Sequence, residues 1–244
     1  MQTINFDKLN INAGDTVLDI GCGEGRHSIG LYVDREVNAI GIDLSMEDMK
    51  TAKSRIKDFS ITDTNKSSCI FGAGDIKSLT FEDNVYDAVI CSEVLEHLES
   101  LDDAVSEIVR VLKPGGVLAV SVPRFIPELI CWKLSSEYSK TPGGHVRIFR
   151  HKNLKQLILK ESVSYTSFHW AHALHSPYWW LKCIFWGREK EHWLVTKYHQ
   201  FLVWDLMQNP LLTRFLEAVL KPFIGKSLVT VSYTHLTLPT NREV

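Results

Sequence analysis

The chain has 244 residues, 45% of them hydrophobic and 23% charged, with 27 Lys and Arg against 29 Asp and Glu for a formal net charge of −2. At this length a chain buries roughly 70% of its unfolded surface, which excludes disordered, collagen-like and coiled-coil classes and removes any need for disulfides or a structural metal. The near-neutral total hides an asymmetry. Residues 1–124 carry 12 basic and 21 acidic side chains, net −9, whereas residues 125–244 carry 15 and 8, net +7. All seven Trp lie between Trp132 and Trp204, and seven of the ten His lie between His145 and His199. The first half reads as a scaffold and the second as a specialised surface.

Apolar runs alternate with helical patterns through the first half. TVLDI (16–20) precedes a glycine-rich turn and a helix from Arg26, NAIGID (38–43) a helix from Ser45, and CIFGAGD (69–75) a loop. YDAVICS (86–92) then precedes a helix over 102–112, and GGVLAVSVP (115–123) is a fifth run after a turn at Pro114, Gly115 and Gly116. Strands alternating with helices in this way predict an α/β fold: a doubly wound sheet with helices on both faces and its function at the carboxyl ends of the strands. After Pro123 the pattern changes. Residues 150–161 have helical spacing, 162–171 alternate like a strand, 172–225 turn helical and aromatic, and SLVT (227–230) opens a last strand. The expected division is a core over 1–171, a helical insert over 172–226, and a last strand with a tail over 227–244.

The strongest chemical feature is VLDIGCGEGRH (17–27), a strand carrying Asp19 and running into Gly21, Cys22, Gly23 and Gly25 before a helix. Glycines let a ligand approach the backbone, and a helix start offers free N–H groups. A nicotinamide fingerprint would want glycine where Arg26 stands, and no Gly-Lys-Ser/Thr phosphate loop is present. Asp19 separates the readings further, because a carboxylate beside the turn repels a pyrophosphate and suits a ligand bearing ammonium and sulfonium charges.

VLDIGCGEG, GIDLS, GAGDI, DAVICSEVLEH and LKPGG together resemble the successive motifs of class I S-adenosylmethionine-dependent methyltransferases, nearest to the type 11 group that includes ubiquinone-pathway enzymes. The resemblance covers roughly residues 10–123. It implies a Rossmann-like sheet of about seven strands, with the helical insert before the last, and S-adenosylmethionine as cofactor. It places Asp19 and the turn from Gly21 to Gly25, with Cys22 as a small filler, around the amino-acid part of the cofactor. Asp43 would accept from the ribose hydroxyls with Leu44 near the adenine, Asp75 and Ile76 would meet the adenine edge, and Ser92 and Glu93 would line the floor.

Methyl transfer from a sulfonium is an in-line displacement that needs alignment, exclusion of water and sometimes removal of a proton. His97 in EVLEHL and His145 in GGHVRIF are the candidate bases. Competing readings are a loop tie for His97 and loop packing for His145 and its neighbour Arg147. A metal site at His169, His172 and His175 is not expected, since no carboxylate or Cys lies near them in sequence.

The aromatic insert suggests an acceptor lid: an apolar pocket for a small or lipid-like acceptor, or a face that docks peripherally on a membrane. Packing of these aromatics into a small helical core or a dimer surface competes with that reading. Basic residues are scattered, so nucleic acid is not an expected partner. The five Cys are at least 22 residues apart and read as free thiols in a reducing compartment. MQTINFDKLN lacks a basic stretch followed by an apolar run, and no segment reaches ~18 apolar residues. The expected location is cytoplasmic or peripheral to a membrane. Residues 231–244, VSYTHLTLPTNREV, resemble translated read-through of a transposase-type sequencing adapter, and they are left out of the functional reading.

Overall fold

The computed structural model describes residues 2–59, 65–161, 163–188 and 192–235. Seven strands form one sheet in the order β3-β2-β1-β4-β5-β7-β6. They are β1 (Thr16–Ile20), β2 (Asn38–Asp43), β3 (Cys69–Ala73), β4 (Tyr86–Ser92), β5 (Leu112–Pro123), β6 (Val163–Ala171) and β7 (Ser227–Thr234). The first five run parallel, while β7 lies antiparallel between β5 and β6. The chain winds outward from β1 to β3 and then returns to β4. The gap between β1 and β4 is therefore the point where the winding direction reverses, and ligands bind at the carboxyl ends there.

Near-continuous apolar runs form these strands because both faces are covered. Leu18, Ile20, Val89, Cys91, Leu118 and Val120 pack on one face against α3 (Asp102–Arg110) and α5 (His151–Leu159) through Ile108, Leu154 and Ile158. The alternate residues Val17, Ala88, Ile90, Val117 and Ala119 pack on the other, against Leu31 and Tyr32 of α1 (Arg26–Arg35) and against Ile4 and Phe6. Ser45 caps α2 (Met46–Arg55) by accepting from the Asp48 N–H, with Glu47 and Asp48 in its first turn.

Several boundaries differ from the sequence expectation. β3 ends at Ala73, so Asp75 lies in the following loop. α3 stops at Arg110, and β5 begins at Leu112, because the Lys113 to Gly116 turn is drawn into the sheet across a register shift opposite Tyr86 and Ala88. A further helix, α4 (Phe125–Leu134), follows β5 directly. Three helices intervene between β6 and β7: α6 (His175–Ile184), α7 (Trp193–Gln208) and α8 (Leu211–Ile224). Among the described residues no helix is long and apolar enough to cross a membrane. β7 continues through part of the adapter-like tail, with Val231 and Ser232 buried beside Ala119 and Leu118. Residues 236–244 lie outside the described residues.

Candidate active site

The turn after β1 is held by its own backbone. The Cys22 N–H donates to the Ile42 carbonyl at 3.0 Å, and the Gly23 N–H donates to Asp43 Oδ2 at 2.9 Å. The Ser45 N–H donates to Asp43 Oδ1 at 2.9 Å, so the carboxylate at the end of β2 is clamped from both sides. Gly21 and Gly25 have φ of +66° and +81°. A Cβ on Gly21 would collide with Val94, and one on Gly25 would meet the Phe71 ring at 2.9 Å. At Gly23, by contrast, nothing lies within 4 Å of a Cβ position, which leaves that side of the turn open.

A cavity of about 450 Å³ lies against this turn, lined in part by Gly21, Asp43, Leu44, Ile76, Glu93, Val94 and His97. Its size falls within the roughly 300–1,000 Å³ of small-molecule sites. A cavity of about 650 Å³ opens elsewhere, between residues 2–8, the end of β6 and α8, with His169 and His172 on its wall. It lacks the combination of glycine turn and clamped carboxylate, so we place the chemistry at the smaller one.

Six of the sequence-selected residues therefore share one wall: Gly21, Asp43, Leu44, Ile76, Glu93 and His97. Others sit behind it. Asp19 is 1% exposed beneath the first turn of α1, where Oδ2 accepts from the Ser28 N–H at 3.0 Å and the Ser28 hydroxyl at 2.6 Å. Burial raises its pKa to about 6, and Oδ1 has no hydrogen-bond partner among the described residues. Cys22 is buried, which pushes its thiol far up and leaves it protonated at neutral pH. Asp75 is exposed, and its Oδ1 accepts from the Lys77 N–H at 3.0 Å. Ser92 is buried and shares a 2.8 Å hydrogen bond with the Ser121 hydroxyl, which also donates to Glu93 Oε1 at 3.0 Å. Glu93 has φ +57°, an uncommon conformation that concentrates at functional sites.

Beyond Glu93 stands a polar group that sequence reasoning only half found. His97 Nδ1 lies 3.0 and 3.2 Å from the carbonyls of Gly143 and Gly144, so the ring ties two loops while remaining on the cavity wall. His145 Nδ1 donates to Glu128 Oε1 at 2.6 Å, and the two histidine rings are 5.0 Å apart. Arg147 packs the loop by donating to the Leu98 and Glu99 carbonyls. Glu96, Glu128, Tyr138 and Lys226 are new. Glu128 is 2% exposed and also accepts from the Tyr138 hydroxyl at 3.0 Å and Trp132 Nε1 at 3.1 Å. Against the effect of burial, His145 above all, with Lys226 and the Tyr138 hydroxyl, holds its carboxyl below the usual range. Lys226 Nζ lies 4.0 Å from Glu93 Oε2 and over the Trp179 ring. Glu96 is fully buried, and burial together with Glu93 raises its carboxyl well above the usual range. The available sequence signal was the Glu93 and Glu96 pair beside His97 in EVLEHL.

Comparisons with known proteins bear on the family and the fold. A family described as "Methyltransferase domain" matches residues 18–120. The sterol 24-C-methyltransferase of Saccharomyces cerevisiae is 31% identical over 141 residues, 58% of this chain and 33% of that protein. The 27-O-demethylrifamycin SV methyltransferase of Amycolatopsis mediterranei is 31% identical over 120 residues, 49% of this chain and 43% of that protein. The matches thus span less than half the length of either relative. A crystal structure of a SAM-dependent methyltransferase from Methanosarcina mazei superposes with a TM-score of 0.61 at 17% identity, covering 93% of this chain and 95% of that one. At that identity the likeness is one of fold. Seven strands in this order, the glycine turn and the family match make residues 18–120 a class I S-adenosylmethionine-dependent methyltransferase domain, and S-adenosylmethionine is the cofactor such a domain takes.

Proposed function

We propose that the chain transfers the methyl group of S-adenosylmethionine to a hydroxyl oxygen of a small apolar or lipid-like acceptor. The observation that carries this reading is the Asp43 carboxylate, clamped by the Gly23 and Ser45 N–H groups at the rim of the cavity between β1 and β4. Asp43 is aimed to take the ribose hydroxyls, while Leu44 and Ile76 supply apolar walls for the base. The open face of Gly23 and the strained Glu93 serve the amino-acid end. Asp19 acts from beneath, as a negative charge under the turn.

Bound there, the cofactor supplies a methyl group already activated on sulfonium sulfur. The protein aligns the acceptor, keeps water out and takes up a proton. His97 and His145 suit the last task, because each commits Nδ1 to an acceptor and leaves Nε2 with a lone pair. Their presence favours oxygen over carbon as the methylated atom. The Tyr138 ring, 5.2 Å from Trp186 and 6.1 Å from Trp179, gives this end an apolar aromatic wall. Relatives named for a sterol and a rifamycin support a bulky, largely apolar acceptor. The outward apolar residues of α7 and α8 fit a peripheral membrane contact that would deliver it.

Calorimetric titration tests the cofactor reading: S-adenosylhomocysteine should bind and NAD should not, and the reverse result would end it. A radiolabelled-methyl assay on lipid and aqueous fractions of a cell extract then reads the acceptor class. Labelling confined to water-soluble products would remove the lipid-like acceptor.

A further inference from the structure

Glu96 carries a carboxylate that the fold has not satisfied. The side chain is fully buried, neither oxygen has a hydrogen-bond partner among the described residues, and a buried charge left in that state is costly. One Glu96 oxygen and one ring nitrogen each of His97 and His145 lie within 4.8 Å of one another. Glu96 Oε1 is 3.9 Å from His97 Nε2.

The protons on the two rings are assigned by their partners. His97 Nδ1 faces only carbonyl oxygens, those of Gly143 and Gly144, and His145 Nδ1 faces the Glu128 carboxylate. Both rings therefore carry hydrogen on Nδ1 and present Nε2 as a lone pair. A carboxylate or carbonyl behind a histidine is the arrangement that orients imidazole toward a metal. Glu128 is itself fixed by Tyr138 and Trp132, so the backing is rigid.

Charge points the same way. Glu93 and Glu128 lie close enough to act on Glu96 just behind Glu93 and His97 of the cavity wall, and Lys226, a permanent cation near them, sits at Glu93. We propose that Glu96, His97 and His145 bind a divalent first-row transition cation of the Mn²⁺ or Zn²⁺ class. One carboxylate and two imidazoles suit these ions and leave coordination positions open toward the cavity. Ligand bonds of roughly 2.0–2.2 Å require the three side chains to close in, and partly exposed His97 has room to rotate.

The proposal rests on the methyltransferase reading for its purpose. A cation there would occupy the Nε2 lone pairs of His97 and His145, so with metal bound it would replace them as the group that activates the acceptor, binding its hydroxyl and lowering its pKa. The hydroxyl proton passes to water, the oxygen attacks the methyl carbon, and the carbon–sulfur bond breaks with its electron pair on sulfur. The products are a methyl ether, S-adenosylhomocysteine and a proton.

The test uses the full chain, stripped with chelator and titrated with Mn²⁺ by electron paramagnetic resonance and with Co²⁺ by visible absorption. One saturable site per chain is expected, lost in Glu96→Gln and weakened roughly 10–100-fold in Glu128→Gln. Retained S-adenosylhomocysteine binding in both variants shows that they fold. No saturable binding of either ion to the wild type, or equal binding by Glu96→Gln and His145→Ala, overturns the site and means that Glu96 simply holds a proton. Metal binding without S-adenosylhomocysteine binding would instead sink the methyltransferase reading and leave the site standing.

Discussion

In residues 1–124 four large apolar side chains are exposed among the described residues, Leu44, Met46, Phe59 and Ile70, and Leu44 lies at the cavity beside the glycine turn. In α7 and α8 alone there are twelve, from Trp193 to Phe223. The sheet consumes its hydrophobic residues on two covered faces, whereas the helical pair turns many of its own outward. Apolar side chains exposed in such number are what an interaction or ligand-delivery face presents. On the proposed function the two regions would divide the work: one to hold a fixed cofactor geometry, the other to meet something apolar outside the chain.

The largest effect should come from the region of fixed geometry. Asp43→Ala removes the carboxylate proposed to take two hydroxyl hydrogen bonds and also strands the Gly23 and Ser45 N–H groups. Hydrogen bonds to a charged group contribute about 1.5–3 kcal/mol each, so S-adenosylhomocysteine affinity should fall on the order of 10²–10⁴-fold by calorimetry. Unchanged affinity would break the assignment of the cavity. Nothing comparable is expected from changing a single residue of α7 or α8.

Gly21→Ala tests the same turn through packing. A side chain at φ +66° costs about 1–3 kcal/mol, and overlap with Val94 adds a similar amount. At about 2–4 °C per kcal/mol for a chain of this size, the melting temperature should drop by roughly 10 °C. Adding Val94→Ala should restore the steric part and leave the backbone part. A double variant no better than Gly21→Ala would show that Val94 is not what excludes a side chain.

These first two tests fall where the sequence was most readable. The strand-turn-helix at Thr16–Ile20 and Arg26–Arg35, the carboxylate ending β2 and the β6-insert-β7 order were all legible, because each is a local pattern of apolar runs and glycines. What escaped has a physical reason in each case. FIPELICWKL is apolar around most of its circumference, so α4 lacks the polar and apolar alternation that announces a surface helix, and its Pro127 stands in the first turn, where proline is tolerated. Glu128 stands among apolar neighbours in that run, with no local pattern to mark it. Its partner His145 lies 17 residues on, across a loop whose path no periodicity encodes. His97 was legible, but its contacts at Gly143 and Gly144 were not, so a base and a loop tie stayed open as separate readings where the geometry combines the tie with a place on the cavity wall.

A smaller effect concerns how the scaffold is closed. His27 is buried on α1, and its Nε2 accepts from the Thr3 N–H at 3.2 Å, fixing the N-terminal segment on the sheet. Burial, with Arg26 nearby, lowers its pKa to about 3. Between pH 3 and 6.5 the unfolded chain therefore binds the extra proton, and stability falls as pH drops through that window. Asp19 runs the other way: with its pKa raised to about 6, the stability it adds below pH 3.8 is lost as pH rises through 6. His27→Gln keeps an acceptor and cannot titrate. Its urea midpoint should thus lose less between pH 6.5 and 4 than the wild type's, by about 3 kcal/mol in free energy. Parallel curves would remove His27 from the acid response.

The smallest effect on folding, and the sharpest contrast with Gly21, belongs to α8. Leu211 is 82% exposed and Phe215 65%, and they point away from the Glu217 carboxylate, which accepts from the Ala173 and Leu174 N–H groups at 2.9 Å and anchors the inner face. Replacing Leu211 and Phe215 with Asp removes no buried contact, so stability should move by about 0.5 kcal/mol per site or less. If this face meets a membrane, the same two changes cost the insertion of two large apolar side chains, at about 1.5–3 kcal/mol each, and add two charges that anionic lipid repels. Co-flotation with vesicles containing anionic lipid should then be lost while melting temperature and S-adenosylhomocysteine affinity hold. Wild-type protein that stays with the soluble fraction would separate the aromatic surface from membranes and leave it to the acceptor or to a second copy of the chain.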